Sequence, residues 1–479
     1  MALSPRVAFF NETQFELMKT RVFELLDQRG VKMDHPQVIK RLRSAGAKVD
    51  IDNNMVRFPK DFMEEQLRQT PKTLMLTGRN GRRKLEIPCQ DGTFWTRTNT
   101  GGQSWIELES GKYRQVTAAD VATWARLADR LDQISFCAFP VPNDVPAATI
   151  DVHALSLMLQ NIEKHIWVQP YTQETIEYLI NLSIVAAGGE DSLRSNPLVS
   201  FITCSLTPLE FKPMDLEVIL QCARYGIPLH ACSLPGAGAT APATVPGAVL
   251  LSVAEILAMV AVAQVIQPGT PVIATPLIFS TDMMSGRSLQ SSVESMQGAA
   301  MAIQFMKAAF GLPTHTYGIG SDSPIIDGQC MSEGALRCML IAMSGADILG
   351  AAGQLEVATT ISPVQLVIDN EVLGMVKRMM TKIDFDDETM AWQDLLKTEP
   401  GSQFLTNEHT FRHCRDGLMP VNFIRMTRQS WHAKEQSDLV ARATRYCEAL
   451  LANTEPVALP ESIIKEMNSL VKQADTNLK

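Results

Sequence analysis

THTYGIGSDSPIIDGQCMSEGALRCMLIAMSGADILGAAGQLE, residues 314–356, reads as one complete strand, loop, helix and strand unit. The run THTYGIG (314–320) is rich in β-branched and aromatic residues. SEGALRCMLIAMSGA carries its apolar residues at helical spacing and closes near Gly345, and DILGAAGQLE (347–356) begins a second apolar run. A period that switches from strand to helix and back is the mark of a parallel crossover, and a glycine just past the helix suits its C-cap. Between the first strand and the helix, a Tyr, two glycines, a Ser and acidic residues crowd together. In a parallel barrel that position is the carboxyl end of a strand, where reactive groups collect.

Working outward, the same unit recurs. Apolar or β-branched runs appear as FWTRTNTGG (94–102), ISFCAFP (134–140), HIWVQPY (165–171), LVSFITCS (198–205), PLHACS (228–233), PVIATPLIF (271–279), THTYGIG (314–320) and DILGAAGQLE (347–356), with helical segments between them. Eight such runs predict an α/β chain folded as a (β/α)₈ TIM barrel over residues 93–380. Residues 1–92 read as an N-terminal helical cap with a hairpin: a helix ending at Gly30, a second helix near HPQVIKRLRSAG, and two alternating runs in AKVDIDNNMVRFP. Residues 381–479 read as a C-terminal helical extension packed on the barrel. A doubly wound dinucleotide fold is the rival, but PGAGATAP lacks the third glycine, which is Ala241, and is followed by further prolines.

The net charge of −9 excludes the basic face a nucleic-acid binder needs, so small molecules or proteins are the expected partners. Nine cysteines without a CxxC pair suit reduced thiols and a cytoplasmic chain. The most apolar run, AVLLSVAEILAMVAVAQVI, contains Glu255 and reads as a buried helix, with no membrane role expected. A homo-oligomer is compatible with the sequence. Only 6% of residues are aromatic, which makes those at the barrel mouth informative.

The strand ends place Phe139, Gln169, Tyr171, His230, Phe279, Tyr317, Asp322, Gln354 and Glu356 at or near that mouth. Each has a structural alternative. Phe139 and Phe279 could fill core, Asp322 could cap the following helix, and His230, like His315, could be a bonded core histidine. Glu356 closes an apolar run, where a carboxylate needs a partner. No HExxH, GxSxG or P-loop occurs. HTFRHC sets His409 and His413 four apart, but two ligands do not make a closed site, and no metal is assigned.

The run from Gly318 through GIGSDSPIIDGQCMSEGALRCMLIAMSGADILGAAGQLEVATTISPVQLVIDNEVLGM resembles the corrinoid-dependent trimethylamine methyltransferase family. So do LLDQRGVKMDHPQVIKRLRSAGAKVDIDNNMVRFP and HTFRHCRDGLMP, and the likeness spans nearly the whole chain. The resemblance implies a (β/α)₈ barrel that moves a methyl group from a methylated amine to the cobalt of a separate corrinoid protein. The corrinoid (cobalamin) would therefore come with the partner and not be bound directly. Archaeal members carry pyrrolysine, whereas this chain has only ordinary residues. That points to the non-pyrrolysine branch and, within it, to the glycine betaine:corrinoid protein type.

The implied reaction gives dimethylglycine and methyl-Co(III) from glycine betaine, with proline betaine, carnitine, γ-butyrobetaine or trimethylamine as alternative donors. A quaternary ammonium leaves as a neutral amine, so no general acid is needed. No catalytic residue is assigned, the task being one of positioning. Under this reading Phe139, Tyr171, Phe279 and Tyr317 would cage the cation. Asp322 and Glu356 would supply countercharge, and His230, Gln169, Gln354 or the amides of GIGSDS would bind a substrate carboxylate. A metal-dependent barrel hydrolase or lyase and a non-catalytic betaine-binding protein are the readings from other classes.

Overall fold

Eight parallel strands close into a ring in the computed structural model, which describes residues 5–434, 436–453 and 459–478. In chain order they are Trp95–Thr98, Cys137–Ala138, Ile166–Val168, Val199–Cys204, Leu229–Ser233, Val272–Pro276, His315–Tyr317 and Ile348–Ala352. Strands two to six form one ladder and strands seven, eight and one another. Parallel bridges from Arg97 to Phe136 and from Ala274 to Thr314 join the two into a barrel. Each of the eight runs read from the sequence supplies one strand.

Strand alternation divides the apolar side chains into two cores. Phe136, Ala138, Trp167, Ile202, Cys232, Ile273, Tyr317 and Ile348 belong to the cluster inside the barrel. Their sequence neighbours Cys137, Phe139, Ile166, Val168, Phe201 and Leu349 belong to the larger cluster between barrel and helices. The amino-terminal end of the bore is plugged by a hairpin, Leu74–Thr77 with Lys84–Ile87, whose Leu74, Leu76, Leu85 and Ile87 join the interior cluster.

The barrel helices start on side-chain caps and stop on glycine. Thr117 makes a capping box, and Ser292, Asp327 and Ser362 accept the amide three residues on. Gly188, Gly226 and Gly311 end helices in the left-handed conformation that only glycine adopts without strain. Val245–Ile266 is long and apolar enough to cross a membrane, yet 83% of its most apolar window is buried inside the molecule. Three helices of the N-terminal cap, Glu12–Gln28, Pro36–Ser44 and Lys60–Gln69, lie against it. The cap is also stitched to the barrel by parallel pairing of Lys32 with Glu210 and Met33 with Phe211.

Of the C-terminal helices, Leu439–Ala452 and Glu461–Asn477 send Ala443, Cys447, Met467, Val471 and Ala474 into the main core. Trp392–Lys397, Glu408–His413 and Arg428–Lys434 bury no residue at all.

Candidate functional site

Strand one reads Trp-Thr-Arg-Thr, and its alternation turns Arg97 into the bore. The guanidinium is fully buried: Nε donates to His315 Nε2 at 3.3 Å, Nη1 donates to the Thr98 carbonyl at 2.7 Å, and Nη2 has no partner among the described residues. Its Cζ lies 4.3 Å from the Trp167 ring centre and 5.9 Å from that of Tyr317. Space for it comes from Gly350, where a Cβ would fall 2.7 Å from His315 Nε2 and 2.8 Å from Arg97 Nη2.

Burial lowers the Arg97 pKa to about 10, which leaves it charged at neutral pH, and no carboxylate is among the groups acting on it. His165, His230 and His315 surround this layer as neutral rings. Burial pushes His165 down to about 4, and burial followed by the charge of Arg97 lowers the other two well below the usual histidine value. Ser200 links His165 at 2.8 Å to His230 at 3.2 Å. The floor of the bore is therefore a buried, uncompensated positive charge, an arrangement that costs stability unless an anion offsets it.

Above this floor, Phe279 and Tyr317 meet edge to face with centres 6.4 Å apart. Around them Asn99 Oδ1, Thr100 Oγ1, Tyr171 OH, Gln290 Nε2 and Gln354 Oε1 are buried without a hydrogen-bond partner among the described residues. Buried polar atoms are ordinarily paired, so this concentration at one end of one barrel marks the mouth as the candidate site.

Several contacts hold the mouth in shape. Gln354 donates to Gln290 Oε1 at 2.6 Å, and Asn99 Nδ2 donates to the Ala358 carbonyl at 3.1 Å. Arg337, fully buried, donates to the carbonyls of both Tyr317 and Gln290. Glu333 accepts from Ser321 Oγ at 2.6 Å and the Asp322 amide at 2.9 Å. Glu255 accepts from Ser205, Thr207, Ser233 and the Leu209 amide, fixing the ends of strands four and five. After strand eight a hairpin, Gln354–Leu355 with Thr360–Ile361, turns through Glu356, Val357 and Ala358 at φ values of 49°, 55° and 72°. Three successive non-glycine residues in the left-handed region are a strained turn, and Val357 and Ala358 pack against the interior cluster.

The structure brings Phe279, Tyr317 and Gln354 together at the mouth and sets Tyr171, with its orphaned hydroxyl, beside Gly101. Gln169 Oε1 would also come within 3.9 Å of a Cβ on Gly101, and its side chain lines a cavity of about 210 Å³ with Cys204 and Asp215. His230 lies one layer below, bonded to Ser200, as a core histidine would be. Two expectations, on Phe139 and Glu356, need correction, and the structural alternative for Asp322 is excluded. Phe139 cannot cage a ligand in the bore: Ala138 takes the inward position, so Phe139 faces the helices. Asp322 does not cap the next helix, whose cap is Asp327. Its carboxylate accepts the amides of Gln290 and Ser291 at 3.1 and 2.9 Å and ties two mouth loops together. Glu356 does not end the strand, which stops at Ala352; it sits in the strained turn and accepts from Thr360 Oγ1 at 2.7 Å.

Sequence reasoning missed Arg97, Trp167 and Gln290. A lone Arg between the β-branched Thr96 and Thr98, within a run read as a barrel strand, was a readable signal for the first. Gln290 lies in a loop without periodicity and could be found only in three dimensions.

The sequence profile of the family described as trimethylamine methyltransferase (MTTB) matches residues 2–478. A trimethylamine methyltransferase of Desulfitobacterium hafniense is 29% identical over 98% of this chain and 94% of its own length. A glycine betaine methyltransferase of the same species is 27% identical over 98% of both chains. Overall identity is thus nearly the same to relatives named for a tertiary and for a quaternary amine. Among solved structures, the monomethylamine methyltransferase of Methanosarcina barkeri superposes with a TM-score of 0.51 over 93% of each chain at 12% identity, a likeness of fold.

Proposed function

The chain belongs to the trimethylamine methyltransferase family, and from that premise we propose that it is a methyltransferase moving a methyl group from a quaternary amine, glycine betaine first among them, to the cobalt of a separate corrinoid protein. The observation that carries the choice of donor is Arg97, a buried guanidinium whose acidic neighbours are the phenol of Tyr317 and the thiols of Cys137 and Cys232, with no carboxylate among them. Trimethylamine has nothing to offer such a group. A betaine supplies the missing carboxylate to the floor while its trimethylammonium rises against the Phe279 and Tyr317 pair, where an aromatic face attracts a cation by ~0.5–2 kcal/mol.

One methyl carbon then points out of the barrel. The reduced corrinoid of the partner, acting as second substrate, supplies the electron pair that takes this methyl. The carbon–nitrogen bond breaks with its own pair remaining on nitrogen, and dimethylglycine departs with no proton to be moved. The neutral histidines around Arg97 leave its charge uncontested, and burial in the bore desolvates the bound zwitterion, which strengthens both contacts.

The test is methyl-Co(III) formation, followed by absorbance, with the reduced corrinoid protein and a panel of amines. Glycine betaine is expected to react, trimethylamine and choline not, since neither carries a carboxylate. Arg97→Met should lower kcat/KM for glycine betaine by about 10- to 100-fold, the range for losing a hydrogen bond to a charged group. Turnover of trimethylamine at least equal to that of glycine betaine, in a protein indifferent to Arg97→Met, would overturn the assignment.

A further inference from the structure

Far along the chain from the barrel mouth, the C-terminal extension brings together a second set of chemically distinctive side chains. His409 and His413, one helical turn apart on Glu408–His413, hold their rings 4.3 Å apart. The fold adds a third group that the sequence could not associate with them: Glu388, on a turn 21 residues before His409. Ligand atoms of Glu388, His409 and His413 all lie within 4.8 Å of one another, and among the described residues this is the one such group of three.

We propose that Glu388, His409 and His413 bind a divalent transition-metal ion, zinc by the chemistry of the ligands. Two imidazole nitrogens and a carboxylate oxygen make a borderline donor set that suits zinc and is poorly matched to calcium or magnesium. The surroundings support it. Asp416 lies 2.7 Å from His413 Nδ1, so that nitrogen carries the proton and donates it, while Nε2, 3.4 Å from Glu388 Oε1, is left to coordinate. A carboxylate holding the far nitrogen of a histidine is the usual support behind a metal ligand. Arg412 Nη1 is 3.0 Å from Glu388 Oε1, an exposed ion pair with which a metal would compete for the carboxylate.

There is also a reason for this segment to need a metal. Its helices Trp392–Lys397 and Glu408–His413 bury nothing, and Ile383, Phe385, Leu396, Leu405, Phe411 and Met419 are exposed. A segment without a core of its own gains order when a metal ties its turns together.

The experiment treats the full-length chain with a chelator and titrates it with zinc chloride by calorimetry, alongside the His409→Gln/His413→Gln double variant and Asp416→Asn. One zinc per native chain is expected, with that site absent from the double variant and weakened about 10- to 100-fold by Asp416→Asn, which acts only through His413. Cobalt(II) should give visible absorption bands in the native chain alone, and zinc should slow proteolysis between residues 381 and 426. Equal zinc uptake by native chain and double variant, or no uptake by either, overturns the proposal. The three substituted side chains, His409, His413 and Asp416, are half-buried or exposed, and circular dichroism of the variants reports that they fold.

Discussion

Asp369 sits buried behind strand eight, where its carboxylate accepts the Gly353 amide and Gln365 Nε2, each at 2.7 Å. Burial raises its pKa from 3.8 to about 7. The folded chain therefore holds this proton more tightly than the unfolded chain does. The stability that results is complete below about pH 4 and is lost as pH rises through 7. Asp369→Asn removes the titration while keeping both contacts, because its Oδ1 can accept from Gly353 and its Nδ2 can donate to Gln365 Oε1, which is otherwise unpartnered. The melting temperature of the variant, relative to the native chain, is expected to increase from pH 5 to pH 8. A difference that stays constant across that range would mean Asp369 is ionised throughout. Arg97 is the opposite case, a buried charge that no nearby group neutralises, kept where a ligand would meet it.

Strand eight shows how one element sets that geometry. Its pairing with strand one shifts register between Leu349 and Ala352, and Ala351 takes a φ of 80°, the signature of a bulge. The Gly350 carbonyl accepts amides from both Gly318 and Ile319, which draws the end of strand seven, with Tyr317, toward the bulge. Gly350 itself has no room for a side chain, since the clash falls on Arg97 and His315. Gly350→Ala should cost about 1–3 kcal/mol of stability through overpacking and should displace Arg97. Melting temperature and kcat/KM for the proposed donor, glycine betaine, measure the two effects, and a variant with native values of both would show that the guanidinium has more freedom than this geometry allows.

At the scale of the molecule, the N-terminal cap functions as the cover for Val245–Ile266, a helix with apolar residues all round its circumference. Besides the pairing at Lys32 and Met33, the cap is tied to the barrel helices by the Val7 amide donating to the Met343 carbonyl, the Phe9 amide donating to Gln304 Oε1, and Arg41 donating to the Ile266 carbonyl. Deleting residues 5–58 is expected to leave a chain that retains helical circular dichroism but aggregates and binds hydrophobic dyes, because the helix face is uncovered. A soluble, dye-negative truncation would show that other elements can cover it.

The barrel was legible along the chain because its signals are local. Eight apolar runs, helix caps such as Thr117 and Asp327, and stop glycines at 188, 226 and 311 each act within a few residues, and the topology follows from their order. The aromatic pair Phe279 and Tyr317 could be named in advance because both lie at strand ends, where a barrel converges. Which way Phe139 faced, and what Asp322 and Glu356 bonded to, depended on strand register and loop closure, and neither leaves a trace in composition. The partners of Arg97, the meeting of Gln290 with Gln354, and the approach of Glu388 to His409 and His413 join residues separated by tens to hundreds of positions. Only the folded chain brings such groups within the few ångströms over which hydrogen bonds and ligand fields act.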